Sequence, residues 1–495
     1  MAPLPTASAE FSPRKPNPAI STRWRKPAFA IALIAYFFFV SWDSLKAPFA
    51  ADEMIAIYWY YHPTHWRLLF SQFMLWHGYI RPLGGFFYLP TFLWFGLNPV
   101  PYHAYLLLLV LAGVWLMYRL ARVLGAGELA GAIVALLACY HGGMSNLYYN
   151  SVFVFDVLCG LFYFAAFAYY ARIRGSGRLL NLGQTLAFLG LYLCALNAKE
   201  MAVTMPVILL GYEWLYQERP RWRVSSMVEW LRGPGMPLCW ASLMTLVGIY
   251  GKALGPLGLA QKSAYSPALS WDRFVDFQER HIGDVFYHLP RFGPLATLLI
   301  GLAVTYLAWR KDRPLLRFCW FWIVVTPLPI TFIIGRDQAC LYITMAGWFV
   351  FIATVFTDFL SSAARVIAGE PLFHRLGQVR AGAILAGIAM IAYAYYGWSY
   401  QRSEVAPNIH ILGPQTEAVI AQFRQVNPQV PRGAKVVFLD DPWPDTYDMA
   451  FIAELWFHDR TARIYLNNKN RLPPEQIAQA DVVFDWRDGK LIRVR

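Results

Sequence analysis

Long apolar runs separated by short polar stretches dominate the first 400 residues of the chain. A bilayer core needs about 17 to 25 mostly apolar residues per helix. Runs of roughly that kind fall at 28–43, 102–121, 128–141, 150–171, 182–197, 201–217, 237–251, 286–309, 316–334, 339–360 and 381–400. The pattern predicts an all-α polytopic membrane protein with about eleven transmembrane helices. Two connecting stretches are long, 44–101 and 252–285, and both are rich in aromatics, Pro and Gly. In the first, Trp, Tyr and Phe alternate with single polar groups, which suits short helices lying in the membrane interface. After residue 400 the pattern shortens. The runs 433–444, 462–468 and 480–495 read as short strands, the last folding back around Arg487–Lys490 as a hairpin, with a helix over 445–459. Three parts follow: a basic N-terminal segment 1–27, a transmembrane domain 28–400, and a small α/β domain 401–495.

Composition agrees. The chain is 57% hydrophobic and 15% charged, with a mean hydropathy of +0.37, too apolar for a soluble globular average. Six cysteines lie in or beside apolar runs and imply neither a disulfide framework nor a metal spacing. The net charge of +13 needs no nucleic-acid partner, because Lys and Arg gather in the cytoplasmic loops of polytopic proteins. With the N-terminus inside, the inner segments hold about 21 cations and the outer segments before residue 401 about 10. This places the N-terminus in the cytoplasm and the C-terminal domain outside, in the periplasm for a protein of a bacterial inner (cytoplasmic) membrane. The small-residue stretch "APFAA" faintly resembles a signal-peptidase site, but the long basic flank before the first run reads as that of an uncleaved anchor.

Ionisable residues in or beside membrane helices are costly and therefore informative. On this topology they share a side. Asp52, Glu53 and Arg81 lie in the first outer loop, and His103 opens the second run. His141 and Asn150 bracket an outer turn, with Asp156 two turns inside the next run. Lys199 and Glu200 form another turn, and Arg336 and Asp337 a further one, shortly before Tyr342. Each has a plain alternative. Lys199 with Glu200 reads as a surface ion pair, Arg336 with Asp337 as a helix end, and Asp156 as a helix cap or a backbone ligand. His62, His65 and His77 read as interface side chains, since no ligand spacing accompanies them. The acidic stretch "LDDPWPD" reads as a strand running into a turn stiffened by Pro442 and Pro444.

Taken together, the groups suit transfer from a lipid phosphate. Cations stabilise the charge that builds on the leaving phosphate, a carboxylate takes the proton of an acceptor hydroxyl, and an apolar groove holds the lipid. Asp52 or Glu53 fits the base; Arg81, Lys199 and Arg336 fit the phosphate clamp. The same two carboxylates also suit a divalent metal, Mg²⁺ or Mn²⁺, which the chemistry does not require.

The motifs are familiar in this order. "YIRPLGGFFYLPTFLWFGLNPVPYHAYLLLLVLAGVWLMYRL", "NSVFVFDVLCGLFYFAAFAYYAR", "AKEMAVTMPVILLGYEWL" and "GRDQACLYITMAG" resemble segments of membrane O-mannosyltransferases with tetratricopeptide repeats and of their bacterial relatives. These belong to the GT-C class of polytopic glycosyltransferases, which carry an acidic pair in the first outer loop, where Asp52 and Glu53 stand here. The resemblance covers roughly 28–360 and implies sugar transfer from a polyprenyl-phosphate donor to an acceptor hydroxyl of a protein, glycan or lipid. It implies Asp52 or Glu53 as base, Arg81, Lys199 and Arg336 near the phosphate, and His103, His141, Asp156, Glu200 and Tyr342 in support. The chain departs from the pattern in three ways: the repeats are absent, the acidic pair is Asp-Glu where Asp-Asp is common, and Phe155 stands where many members have Arg. Sugar and acceptor therefore do not carry over.

Two other functions compete. A transporter or flippase of lipid-linked glycans would show inverted repeats and charges at mid-membrane, and only Asp156 approaches that position. A non-catalytic scaffold would scatter the polar groups rather than gather them.

Overall fold

The computed structural model describes residues 25–76, 81–217, 223–254, 258–259, 265–287, 292–310, 313–336, 338–369, 377–411, 413–443 and 445–495. The basic segment 1–24, His77, Asp337 and Pro444 lie outside the described residues.

A helix stands at each of the eleven apolar runs. They are α1 (Arg25–Ser41), α5 (Pro99–Val123), α6 (Glu128–Cys139), α8 (Val154–Arg174), α9 (Leu182–Ala198), α10 (Met205–Tyr216), α12 (Met236–Gly248), α14 (Pro294–Arg310), α15 (Pro314–Val325), α17 (Tyr342–Gly369) and α18 (Gly377–Tyr400). Among the described residues six helical stretches are long and apolar enough to cross a membrane, and α6, α9 and α14 are apolar but shorter. In the run expected from residue 286, α14 begins at Pro294, a natural first-turn residue. Between these lie α2 (Ala51–Tyr61), α3 (His65–Ser71), α4 (Gly85–Phe95), α7 (Asn146–Tyr149), α11 (Val224–Arg232), α13 (Trp271–Val285) and α16 (Leu328–Thr331). The expected short helices of the first long loop are thus α2, α3 and α4. Helix α3 buries none of its residues, and Trp66 and Phe70 on it stay exposed.

Local chemistry sets the helix ends. Asn181 and Gln184 form a capping box at α9: the Asn side chain accepts from Gln184 N at 2.8 Å, and the Gln side chain accepts from Asn181 N at 3.1 Å. At the same end of the bundle Arg174 of α8 makes a two-pronged pair with Glu213 of α10 at 2.8 and 2.9 Å, joined by the Tyr170 hydroxyl. The middle is aromatic. Phe167 stacks on Phe318, Trp322 packs edge-on to Tyr163, and the indole N–H of Trp322 donates to Ile343 O at 2.8 Å.

The C-terminal part is α19 (Pro414–Val426), α20 (Asp448–Phe457), α21 (Asn467–Asn470), α22 (Pro474–Ala478) and four strands: β1 (Lys435–Phe438), β2 (Arg463–Leu466), β3 (Val482–Arg487) and β4 (Lys490–Arg493). The sheet order is β2-β1-β3-β4, parallel except for the β3–β4 hairpin. That hairpin turns at Asp488 and Gly489, both with positive φ, as a tight two-residue turn requires. The strands and the helix expected here all form; α19 was not anticipated.

This α/β unit docks on the first long loop. Helices α2 and α20 run side by side in the same direction: Tyr58 meets Phe451 at 4.7 Å between ring centres, and a turn later His62 Nδ1 contacts Glu454 Oε1 at 2.8 Å. Further along, Arg460 lies over the Tyr61 ring at 4.7 Å. His62 is therefore a domain contact rather than the membrane-interface side chain expected of it.

Candidate active site

Asp52 and Glu53 open α2, and the helix turns them apart. Glu53 is fully buried. Its Oε2 accepts from Ala50 N at 2.7 Å, and its Oε1 accepts from Ser151 N at 2.8 Å and the Ser151 hydroxyl at 2.5 Å. The carboxylate thus closes the first turn of α2 and pins it to the segment entering α8. Burial pushes its pKa up to about 7, against the pull of these hydrogen bonds. Asp52 keeps an exposed side chain in a crowded setting and receives a long bond from Asn150 Nδ2 at 3.4 Å. Desolvation raises its pKa, and the nearby Asp448 carboxylate of α20 adds to the rise.

The cations pair differently from the sequence expectation. Lys199 and Glu200 do not pair with each other. At the C-terminal end of α9 the backbone becomes extended at Lys199, so the two side chains diverge. Lys199 Nζ reaches both oxygens of Asp156, at 2.6 and 2.7 Å, with the Cys340 thiol at 3.4 Å. Glu200 takes Arg81 in a two-pronged pair, at 2.7 Å to Nη2 and 3.3 Å to Nε. That guanidinium outweighs burial and holds the Glu200 carboxyl at about 2. Asp156 is therefore an ion-pair partner, neither a helix cap nor a backbone ligand. Arg336 lies over the Tyr265 ring at 4.5 Å, and its Nε is buried with no hydrogen-bond partner among the described residues. Cys340, whose thiol Lys199 contacts, follows four residues after it.

An aromatic wall connects the carboxylates to the cations. The Tyr60 hydroxyl, two turns along α2 from Asp52, donates to Arg81 O at 2.6 Å. Tyr60 stacks on Tyr88, whose hydroxyl donates to Ser151 O at 2.8 Å. Phe155 completes the wall under the Arg81 guanidinium at 5.2 Å. The position where Arg was expected from the resemblance thus holds a ring against which a different Arg packs.

Asp52, Glu53, Arg81, Asp156, Lys199, Glu200 and Arg336 gather at one end of the bundle, where the α/β unit docks. Three expected supporting residues stand apart. His103 is fully buried and neither ring nitrogen has a hydrogen-bond partner among the described residues. His141 bonds Val285 O at 3.2 Å and packs on Tyr287 and Phe349. Tyr342 is a packing residue: a Cβ on Gly160 would lie 2.5 Å from its ring, so it fills the crossing of α8 and α17.

A divalent metal at Asp52 and Glu53 does not fit. Both Glu53 oxygens are committed to protein donors, and no three His, Cys, Asp or Glu side chains converge on a metal position among the described residues. In the described part of the "LDDPWPD" stretch, Asp441 accepts from Trp443 N at 2.9 Å and pairs with Lys469 at 2.5 Å. Residues that sequence reasoning passed over include Ser151, Asn197, Lys252 and Asp448. Asn197 and Lys252 carried a faint signal, each a polar residue at the very end of an apolar run.

No family model matches the chain, and no curated protein does. Solved structures similar to it include the oligosaccharyltransferase of Archaeoglobus fulgidus in its apo form, with a TM-score of 0.49 over 89% of this chain and 65% of that one, at 11% identity. The same enzyme, tethered by a disulfide bond to an acceptor peptide containing the NVT sequon, gives a TM-score of 0.47 over 92% of this chain and 65% of that one, also at 11% identity. The chain thus spans a little less than two thirds of that enzyme's length, and no residue of the cluster is carried over from it.

Proposed function

We propose that the protein is a membrane glycosyltransferase of the GT-C type that moves a sugar from a polyprenyl-phosphate donor to an acceptor hydroxyl on the exported face. The observation that carries this reading is the division of labour among the carboxylates. Glu53, Asp156 and Glu200 are each committed to a partner, while Asp52 is exposed, raised in pKa, and lies at the same end of the bundle as Arg81, Lys199 and Arg336.

Asp52 takes the proton of the acceptor hydroxyl as its oxygen attacks the anomeric carbon from the face opposite the phosphate. The bond from that carbon to the phosphate oxygen breaks, and the electron pair leaves with the polyprenyl phosphate. Arg336, whose Nε has no hydrogen-bond partner among the described residues, meets the developing charge, supported by Arg81 and Lys199. Glu53 holds the turn that aims Asp52. A metal takes no part in this scheme. Transport without chemistry is the weaker reading, because Asp156, a buried carboxylate set within a membrane run, is closed by Lys199.

Asp52→Asn in purified protein, given a polyprenyl-phosphate sugar and a hydroxyl acceptor, lowers the transfer rate by about 10²- to 10⁴-fold, the usual worth of a general base. Undiminished transfer would remove Asp52 from the mechanism. Labelled lipid crossing proteoliposomes chemically unchanged would favour the transporter.

A further inference from the structure

Lys252 has no role in the scheme above. It follows α12, where the helix loosens into a π-helical turn, Ile249–Leu254, a form found often at functional sites. The turn is pressed onto the first long loop: a Cβ on Gly251 would lie 2.2 Å from Trp76 Cα and 2.3 Å from the Leu75 carbonyl oxygen. Lys252 is 5% exposed. Its Nζ donates to Leu196 O at 2.8 Å and Asn197 Oδ1 at 3.1 Å. Asn197 in turn donates to Gln72 O at 2.7 Å and Gln72 Oε1 at 3.2 Å. One ammonium therefore ties together three segments, and Lys199 and Glu200 follow two and three residues after Asn197.

Burying an ammonium costs several kcal/mol, and a neutral amide could satisfy the same two acceptors. The charge itself needs a reason. Arg81 with Glu200 and Lys199 with Asp156 are two pairs whose charges cancel. The two bonds of Lys252 are to neutral acceptors, so its charge adds to the cluster instead of closing a pair. Burying it also brings it within electrostatic reach of Glu200 and Arg81.

We propose that Lys252 is a positioning residue of the donor-phosphate site, holding the turn that carries Lys199 and Glu200 and keeping the paired cluster net positive. This rests on the donor-phosphate reading above. Burial pushes the ammonium down to about 8, with Glu200 acting against the shift. Among the described residues the charged groups within reach of it are Glu200 and Arg81, with the Cys159 thiol of α8 also near, while the loop contributes the neutral Gln72 side chain and backbone. Below about pH 8 the cluster carries the extra charge; above it the charge is lost, while a phosphodiester ligand keeps its own.

The test is binding of farnesyl methyl phosphate to the full chain in nanodiscs, between about pH 7 and 9.5, for the wild type, Lys252→Met and Lys252→Arg. The wild type loses about tenfold in affinity as pH rises through about 8, the scale of one charge at short range. Lys252→Met is weaker by about tenfold near pH 7 and flat above it, and Lys252→Arg keeps the affinity across the range. A purely structural role would weaken Lys252→Met without removing a pH limb. A wild type that binds with no limb near pH 8, or a Lys252→Met variant that follows the wild type at every pH, overturns the inference alone. If Lys252→Met does not fold, the wild-type and Lys252→Arg profiles decide. A wild type that does not bind the probe at all overturns the donor reading and this inference with it.

Discussion

Both oxygens of Glu53 are taken by Ala50 N and by the amide and hydroxyl of Ser151, so replacing it is a structural experiment. Gln at this position turns an N–H₂ toward one of those donors. Glu53→Gln destabilises the fold by about 1–3 kcal/mol, the cost of leaving a buried donor unmatched. The folded carboxyl is raised to about 7 from an ordinary 4.5. The folded state therefore binds the proton more tightly than the unfolded chain, and this contribution to stability is complete below about 4.5 and lost as pH rises through about 7. Unfolding midpoints of the wild type and Glu53→Gln between pH 4.5 and 8 check this: the wild type loses stability over that window and the variant loses less. Two adjacent carboxylates were legible in the sequence as a candidate base and its partner. Which of them keeps an open oxygen was not, because that depends on Ser151, 98 residues away, reaching Glu53 and not Asp52.

At the scale of elements, the pairs Lys199–Asp156 and Arg81–Glu200 join the end of α9 to α8 and to the segment before α4. With side chains only 12% and 4% exposed, the first pair is strongly coupled. Lys199→Met leaves Asp156 buried without its cation and costs about 3–5 kcal/mol. The double variant Lys199→Met/Asp156→Leu recovers most of that loss, because no unpaired charge remains. Chemical denaturation in detergent of the two singles and the double checks the cycle. Any loss of transfer on Lys199 replacement has to be read against this stability effect. The sequence placed all four residues at one end but pairs Lys199 with its neighbour Glu200. The extended backbone at Lys199 undoes that adjacency by sending consecutive side chains to opposite sides.

At the scale of the molecule, the α/β unit packs beside the candidate site through α2. Asp448, in the first turn of α20, lies near enough to Asp52 to raise its pKa, and α20 keeps that place by running along α2. The joint is close at Gly413, where a Cβ would lie 2.3 Å from Phe49 O. Gly413→Val forces the two parts away from each other, since a backbone oxygen cannot yield as a flexible side chain does. Hydrogen exchange then rises in α2 and α20 together while β1 and β3 stay protected, and exchange unchanged in α2 would show that docking tolerates the added bulk. The sequence by itself determined the apolar helices, the strands of the last 95 residues and the gathering of ionisable groups at one end, because these follow from local hydropathy, alternation and chain reversal. Only the tertiary structure decided which charges cancel, which carboxylate remains open and that Lys252 belongs to the cluster. Those outcomes depend on side chains far apart in the chain meeting where water is scarce, and there burial and partner geometry outweigh sequence adjacency.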